Sequence, residues 1–411
     1  MPAHPLRRAE RGFRAAAPGS LLAALAAFAL IAAPAALHAQ DAFPSRWEPQ
    51  TVNGVPRISL ETLRSFYKFP PEQHTPRSGT TDISNGSLRI SFGPGERDIA
   101  IQGYRLQLAH PLLTGSDGKL LISQLDLTKL IDPILRPCYI RNREPVQRVV
   151  IDPGHGGIDP GAAEAEYREA DLALSLALEL ESILKQKGYE VILTRRGNAY
   201  VSDRRRADIA CGAADSVFIS LHLNSGRSDM RGVQSYIAAP AAPGSGHMPG
   251  NRHDAANTAL AFALHSAVIA ATGAQDGSIR HARYSLLNSI THPAVIIEAG
   301  YATNPDDIAQ LSQAAYRRRF AQAIADGLDA YAAAMKPDAT LKVARETSAG
   351  PPSTYQEEAP ELGDSADASS PSGSKAAEGG GKAKDDSSKS RAKSTSSEKR
   401  RSSSSRRRRR N

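Results

Sequence analysis

Between residues 147 and about 335 the chain alternates short, unbroken apolar runs with longer stretches whose apolar positions recur every three or four residues. The runs "RVVID", "EVILT", "SVFISLH", "GVQSYIA" and "AVIIEAG" have the length of buried strands. The stretch "DLALSLALELESILKQKG" puts Leu172, Leu176, Leu180, Ile183 and Leu184 on one helical face, with Gly188 as its stop. "DRRRADIACGAA" reads as a polar helix and "DAANTALAFALHSAVIAATG" as a long apolar one. "YRRRFAQAIADGLDAYAAA" closes the series with Ala321, Ile324, Ala325, Leu328 and Tyr331 on one face. Strands apolar on both sides, alternating with helices, predict an α/β domain. Its central sheet should be largely parallel, with helices on both faces.

The flanks differ. Residues 41–145 carry shorter strand-like runs ("SLRISF", "DIAIQGYRLQL", "KLLISQLDL") separated by the turn signals "SNG", "GPGE" and "GSDGK", after the helical stretch "SLETLRSFYKF". They predict a small β-rich domain. From 337 to 411 the chain is Ser, Lys, Gly, Asp and Arg with almost no large apolar residues. Such a segment buries too little surface to offset the entropy of ordering, so a disordered basic tail is expected. In residues 1–39, Arg7, Arg8, Arg11 and Arg14 precede the apolar run "LLAALAAFALIAAPAALHA", with Ala39 at a cleavage point. That pattern predicts a signal peptide and an exported protein of the periplasm or cell envelope.

Charge and cysteine content narrow the classes. The formal net charge is +8 over 411 residues, and the ending "KSRAKSTSSEKRRSSSSRRRRRN" supplies much of it. The tail suits an anionic envelope surface. No aromatic residues interleave with this charge, so no nucleic-acid partner is expected. Cys138 and Cys211 have no metal-binding spacing and read as structural residues.

Chemistry concentrates where apolar segments end. His155 follows "RVVID", His222 ends "SVFISLH", Glu298 ends "AVIIE", and Glu169 precedes the first long helix. In an open α/β sheet, ligands bind beyond the carboxyl ends of the strands. Two histidines and a carboxylate suit a tetrahedral Zn²⁺ site with one open position. His155, Glu169 and His222 would be the ligands and Glu298 the proton acceptor; the exchange of the two glutamates is equally consistent with their order. The stretch "DPGHGGIDPG" lacks the Lys-Ser/Thr of a phosphate-binding loop, and the chain lacks a G-x-S-x-G nucleophile elbow.

With these segments in place, the domain resembles the zinc-dependent N-acetylmuramoyl-L-alanine amidases of the bacterial cell wall. The matching pieces are "VVIDPGHGGIDPGA", "YREADLALSLALEL", "VILTR", "VFISLHLN", "RGVQSY" and "PAVIIEAGYATNPDD". The resemblance implies Zn²⁺ on His155, Glu169 and His222, and Glu298 as the catalytic glutamate. It also implies peptidoglycan as substrate, cut between the lactyl group of N-acetylmuramic acid and L-alanine. Arg280 matches a position where the family carries a basic residue near the site, which would help bind the anionic stem peptide, and Asn224, just past His222, is a candidate for supporting the site or contacting substrate. Two departures stand out. Ala170 replaces a lysine, which should remove only a solvent-facing side chain, and Leu223 replaces a small residue, which should narrow the groove. The span "AAPAAPGSGHMPGNRH" is short, so no inhibitory helix and no obligate activator are expected, and His247 and His253 should lie on the loop surface. Residues 41–145 resemble, at the level of pattern, the N-terminal domain of copper amine oxidases. The competing functions are a different zinc hydrolase of the wall, a peptidase or deacetylase, and a non-enzymatic wall-binding protein.

Overall fold

The computed structural model describes residues 49–70, 81–86, 88–93, 97–141, 143, 145–164, 167–240 and 253–336. The expected signal peptide, His247, most of the short span before the long apolar helix, and the basic tail lie outside the described residues.

Ten strands form one sheet. In chain order they are β1 (Thr81–Ser84), β2 (Arg89–Phe92), β3 (Asp98–Ile101), β4 (Tyr104–Gln107), β5 (Arg148–Pro153), β6 (Glu190–Leu193), β7 (Ser216–Asn224), β8 (Val233–Ala238), β9 (Asp276–Ala282) and β10 (Ala294–Tyr301). Across the sheet the order is β6-β5-β7-β10-β8-β9-β4-β3-β2-β1. The pairs β6–β5, β5–β7, β7–β10 and β8–β9 are parallel, while β8 runs antiparallel to β10. The six strands from β6 to β9 are thus largely parallel, with one reversal beside Glu298, and β4, β3, β2 and β1 continue the sheet as antiparallel neighbours of one another.

The two-sided apolar strands have a direct cause. Along β5, Val149 and Ile151 face one core while Val150 faces another, and Val217, Phe218 and Ile219 alternate likewise along β7. One face is covered by α1 (Glu169–Gln186), α3 (Asp254–Thr272) and α4 (Ala314–Ala334), the other by α2 (Asp203–Cys211) and a short helix, Ser285–Ser289. Helix α3 is long and apolar enough to cross a membrane, but it is mostly buried within this core.

Residues before 146 share this sheet. β4 runs parallel to β9 through Ile279 and Leu106, and the Arg105 amide donates to Asp276 Oδ2 at 2.8 Å. The run "DIAIQGYRLQL" folds as a hairpin because Gln102 and Gly103 take positive φ (52° and 85°), the geometry of a tight two-residue turn. A second, four-stranded sheet pairs Gln50–Val52 with Val55–Ser59, Leu120–Ser123 and Leu113–Thr114. Cys211 is exposed and its thiol donates to the Ser289 carbonyl at 3.3 Å.

Candidate metal centre and catalytic site

Three strands and one helix deliver the predicted site residues to the carboxyl edge of β5, β7 and β10. His155 sits just past β5 with φ +58°, followed by Gly156 and Gly157, also at positive φ. Glu169 opens α1, His222 lies near the end of β7, and Glu298 lies in β10. His222 and Glu298 are register partners, and Gln234 on β8 is the partner of Glu298 on its other side. Direct register puts all three side chains in one row on one face of the sheet.

His155, Glu169 and His222 offer one donor atom each, all within 4.8 Å of one another. His155 Nε2 lies 3.0 Å and His222 Nδ1 2.9 Å from Glu169 Oε1, which also accepts from the Leu223 amide at 3.0 Å. The other oxygen, Oε2, accepts from the Ala162 amide at 2.9 Å. His155 Nδ1 stands 2.8 Å from Asp159 Oδ2, and that carboxylate can only accept, so Nδ1 carries the proton. His155 therefore turns Nε2 toward the cluster. A carboxylate behind a ligating histidine fixes its tautomer and raises its basicity.

The residues fit a metal ion. The donor set is two imidazoles and a carboxylate, as Zn²⁺ takes. Close approach is secured by glycine: a side chain at Gly154 would run into the His222 ring, and one at Gly161 into the Glu169 carboxylate and the His155 ring.

The two glutamates are driven apart in acidity. Burial raises the Glu169 carboxyl, but hydrogen bonds from His155 and His222, the His222 charge and the Leu223 amide outweigh it and hold it far below the usual carboxylate range. His155 is raised to about 9, chiefly by its hydrogen bond to Glu169. His222 is raised as well: burial lowers it, and its hydrogen bond to Glu169 with the charges of Glu298 and Glu169 outweighs that. Glu298, 9% exposed, is pushed up to about 7, first by burial, with the Glu169 charge adding and His222 opposing. Its Oε2 is buried with no hydrogen-bond partner among the described residues. Opposite shifts on two neighbouring carboxyls separate an ionised, ligand-like group from a proton carrier.

The structure places the remaining candidates around this row. Asn224 donates through Nδ2 to Gln234 Oε1 at 2.6 Å and accepts from the Ser225 amide at 2.9 Å, so its amide is engaged inside the protein. Tyr236 also donates to Gln234 Oε1, at 2.8 Å. Arg280 is the register partner of Tyr236, and its charge opposes the effect of burial on Tyr236 and Tyr301, both of which also feel Glu298.

Three expectations need correction. His253 is buried at the start of α3, its ring stacked 6.4 Å from that of His292, instead of lying on a loop surface. Leu223 is buried in the core and reaches the site only through its backbone amide, so it does not narrow a groove. Ala170 is also buried, so the position does not face solvent.

Asp159 and Gln234 were not singled out from the sequence. Asp159 had a signal, a carboxylate four residues past a loop histidine. So did Gln234, a polar residue inside an apolar strand.

The model of the N-acetylmuramoyl-L-alanine amidase family matches residues 149–330. A sporulation-specific N-acetylmuramoyl-L-alanine amidase of Bacillus subtilis is 32% identical over 184 residues, covering 44% of this chain and 67% of the relative. The amidase CwlM of Bacillus licheniformis is 29% identical over 183 residues, again covering 44% and 67%. Among solved structures, the catalytic domain of the amidase CwlV from Bacillus (Paenibacillus) polymyxa var. colistinus is 35% identical, covers 45% of this chain and 97% of that domain, and has a TM-score of 0.40. The matched segment contains both histidines, both glutamates and the strands that carry them, and the chain belongs to the N-acetylmuramoyl-L-alanine amidase family.

Proposed function

We propose that this protein hydrolyses peptidoglycan at the amide between the lactyl group of N-acetylmuramic acid and the L-alanine of the stem peptide. The observation that carries the mechanism is the buried Glu298 carboxyl, whose Oε2 has no hydrogen-bond partner among the described residues, beside a three-donor cluster. His155, Glu169 and His222 would hold Zn²⁺, which supplies Lewis acidity to polarise an amide carbonyl and acidify water. Glu169, kept ionised by the two imidazoles and two amides around it, serves as the anionic member of the set. Asp159 keeps His155 Nε2 aimed at the cluster.

Glu298 moves the proton. Burial raises this carboxyl above the usual carboxylate range, so it accepts a proton from water at Oε2 and hands it to the departing alanine nitrogen. Burial excludes competing solvent from that atom. Gln234, with Oε1 fixed by Asn224 and Tyr236, has its amide nitrogen available for a substrate carbonyl. Arg280 adds positive charge for an anionic stem peptide. Residues 1–39 would direct export to the periplasm or cell envelope, and the tail after 337 would bind anionic envelope polymers or headgroups. The enzyme works without an activator.

Metal removal tests this reading. Treatment with a chelator should abolish release of soluble fragments from purified peptidoglycan, and stoichiometric zinc should restore it without any added protein. Full activity in the chelator would overturn the metal-dependent mechanism.

A further inference from the structure

Arg195 lies beyond β6 and is 4% exposed, and four backbone carbonyls accept from its guanidinium. Nε donates to Pro153 O at 2.9 Å and Nη1 to Gly197 O at 3.0 Å. Nη2 donates both to Gly154 O at 2.6 Å and to Ala170 O at 2.8 Å. Gly154 immediately precedes His155, and Ala170 immediately follows Glu169. A single nitrogen therefore ties the backbone beside one donor of the cluster to the backbone beside another.

Arg206 completes the grip. It is ion-paired with the fully buried Asp152, and it donates to Pro153 O at 2.8 Å and to His155 O at 2.8 Å. The Pro153 carbonyl thus accepts from both guanidinium groups, that of Gly154 from Arg195 and that of His155 from Arg206. This matters because His155 occupies the left-handed region, which a residue with a side chain leaves unless its surroundings hold it there. Fixing it this way is costly: burial and the neighbouring Arg206 charge both weaken Arg195's hold on its proton, and Asp152 offsets this only in part. Two adjacent buried cations are an expensive way to brace a mere turn.

We propose that Arg195 is a positioning residue of the metal centre, setting His155 against Glu169 and thereby the affinity for the ion. This rests on the metal-dependent reading above. The test is made on the full-length chain with Arg195→Lys, which keeps the charge but cannot reach Pro153, Gly154 and Ala170 together. Zinc affinity is measured by competition with a chromophoric chelator, and coordination by the visible absorption of the Co²⁺-loaded protein. Arg196→Ala, which removes an ion pair with Glu181 on the helix α1, is the control.

Arg195→Lys should lose about 10–100-fold in zinc affinity and show an altered Co²⁺ band, as loss of a ligand-orienting group does. Arg196→Ala should match the wild type. Zinc affinity within about twofold of wild type with an unchanged Co²⁺ band would overturn the proposal. Arg195→Gln is measured in parallel, with circular dichroism of the chelator-treated proteins as the check on folding. If neither variant folds, Arg195 serves the fold and not the centre, and the proposal fails. A wild type that binds no zinc would instead remove the metal-dependent reading itself, before any variant is compared.

Discussion

Replacing Glu298 by glutamine should make the chelator-treated protein more stable at alkaline pH. The carboxyl rises from 4.5 to about 7 in the folded protein, with burial as the leading cause. At about 1.4 kcal/mol per tenfold change, that corresponds to roughly 3 kcal/mol of preference for the protonated form. Between these pH values the folded state holds a proton that the unfolded chain releases. Stability from this group is therefore complete below about 4.5, falls as pH rises, and is lost above about 7. Glutamine has the same shape and never ionises, so Glu298→Gln escapes this loss. At pH 8 the variant should be the more stable by roughly 3 kcal/mol, a rise of about 6–12 °C in Tm for a domain of this size. At pH 5 most of the difference should be gone. Thermal melts of both chelator-treated proteins at the two pH values decide it. Added zinc should narrow the gap, because a cation beside Glu298 favours the carboxylate. Equal Tm values at pH 8, or a less stable variant, would refute the reasoning that a carboxyl buried at this position is kept against stability for its chemistry.

Other predictions follow from the same geometry. Asp159→Asn keeps the size of the side chain but removes the carboxylate behind His155, so zinc affinity by chelator competition should fall about 10–100-fold; an unchanged affinity would detach Asp159 from the centre. Zinc affinity of the wild type should rise with pH from about 6 to 9, because His155, held protonated up to about 9 by Glu169, must release a proton to bind the ion; calorimetry showing no proton release would contradict this. Deleting residues after 340 should abolish salt-sensitive retention on isolated envelopes while leaving hydrolysis of purified peptidoglycan intact.

Much of this was legible in the chain. The strands β5, β7 and β10 announce themselves because burial on both faces demands unbroken apolar runs, and each run ends at a polar residue that has to be there for another reason. β9 is a different case. "DGSIRHA" mixes polar and apolar residues because it bridges the catalytic sheet to β4, where only Ser278 and Ile279 are buried and the other residues are partly exposed. One of its edges pairs with β8, and the other meets Leu106, more than a hundred positions away. The two glutamates could not be told apart by order. What separates them is local: Glu169 is surrounded by donors, and Glu298 has a buried oxygen with none among the described residues. Arg195 was visible only as the end of "VILTR". Its role emerges when the turn after β5 and the start of α1 are brought to the same guanidinium, a tertiary fact that no spacing encodes.

The identity of the bond that is cut is read from mass spectrometry of the products released from purified peptidoglycan. Intact stem peptides with free L-alanine amino termini and glycan strands stripped of peptide are the expected products. Both should be absent with chelator and with Glu298→Gln. Shortened stem peptides, deacetylated sugars or an unaltered polymer would contradict cleavage at this bond, pointing respectively to a peptidase, a deacetylase or a protein that only binds the wall.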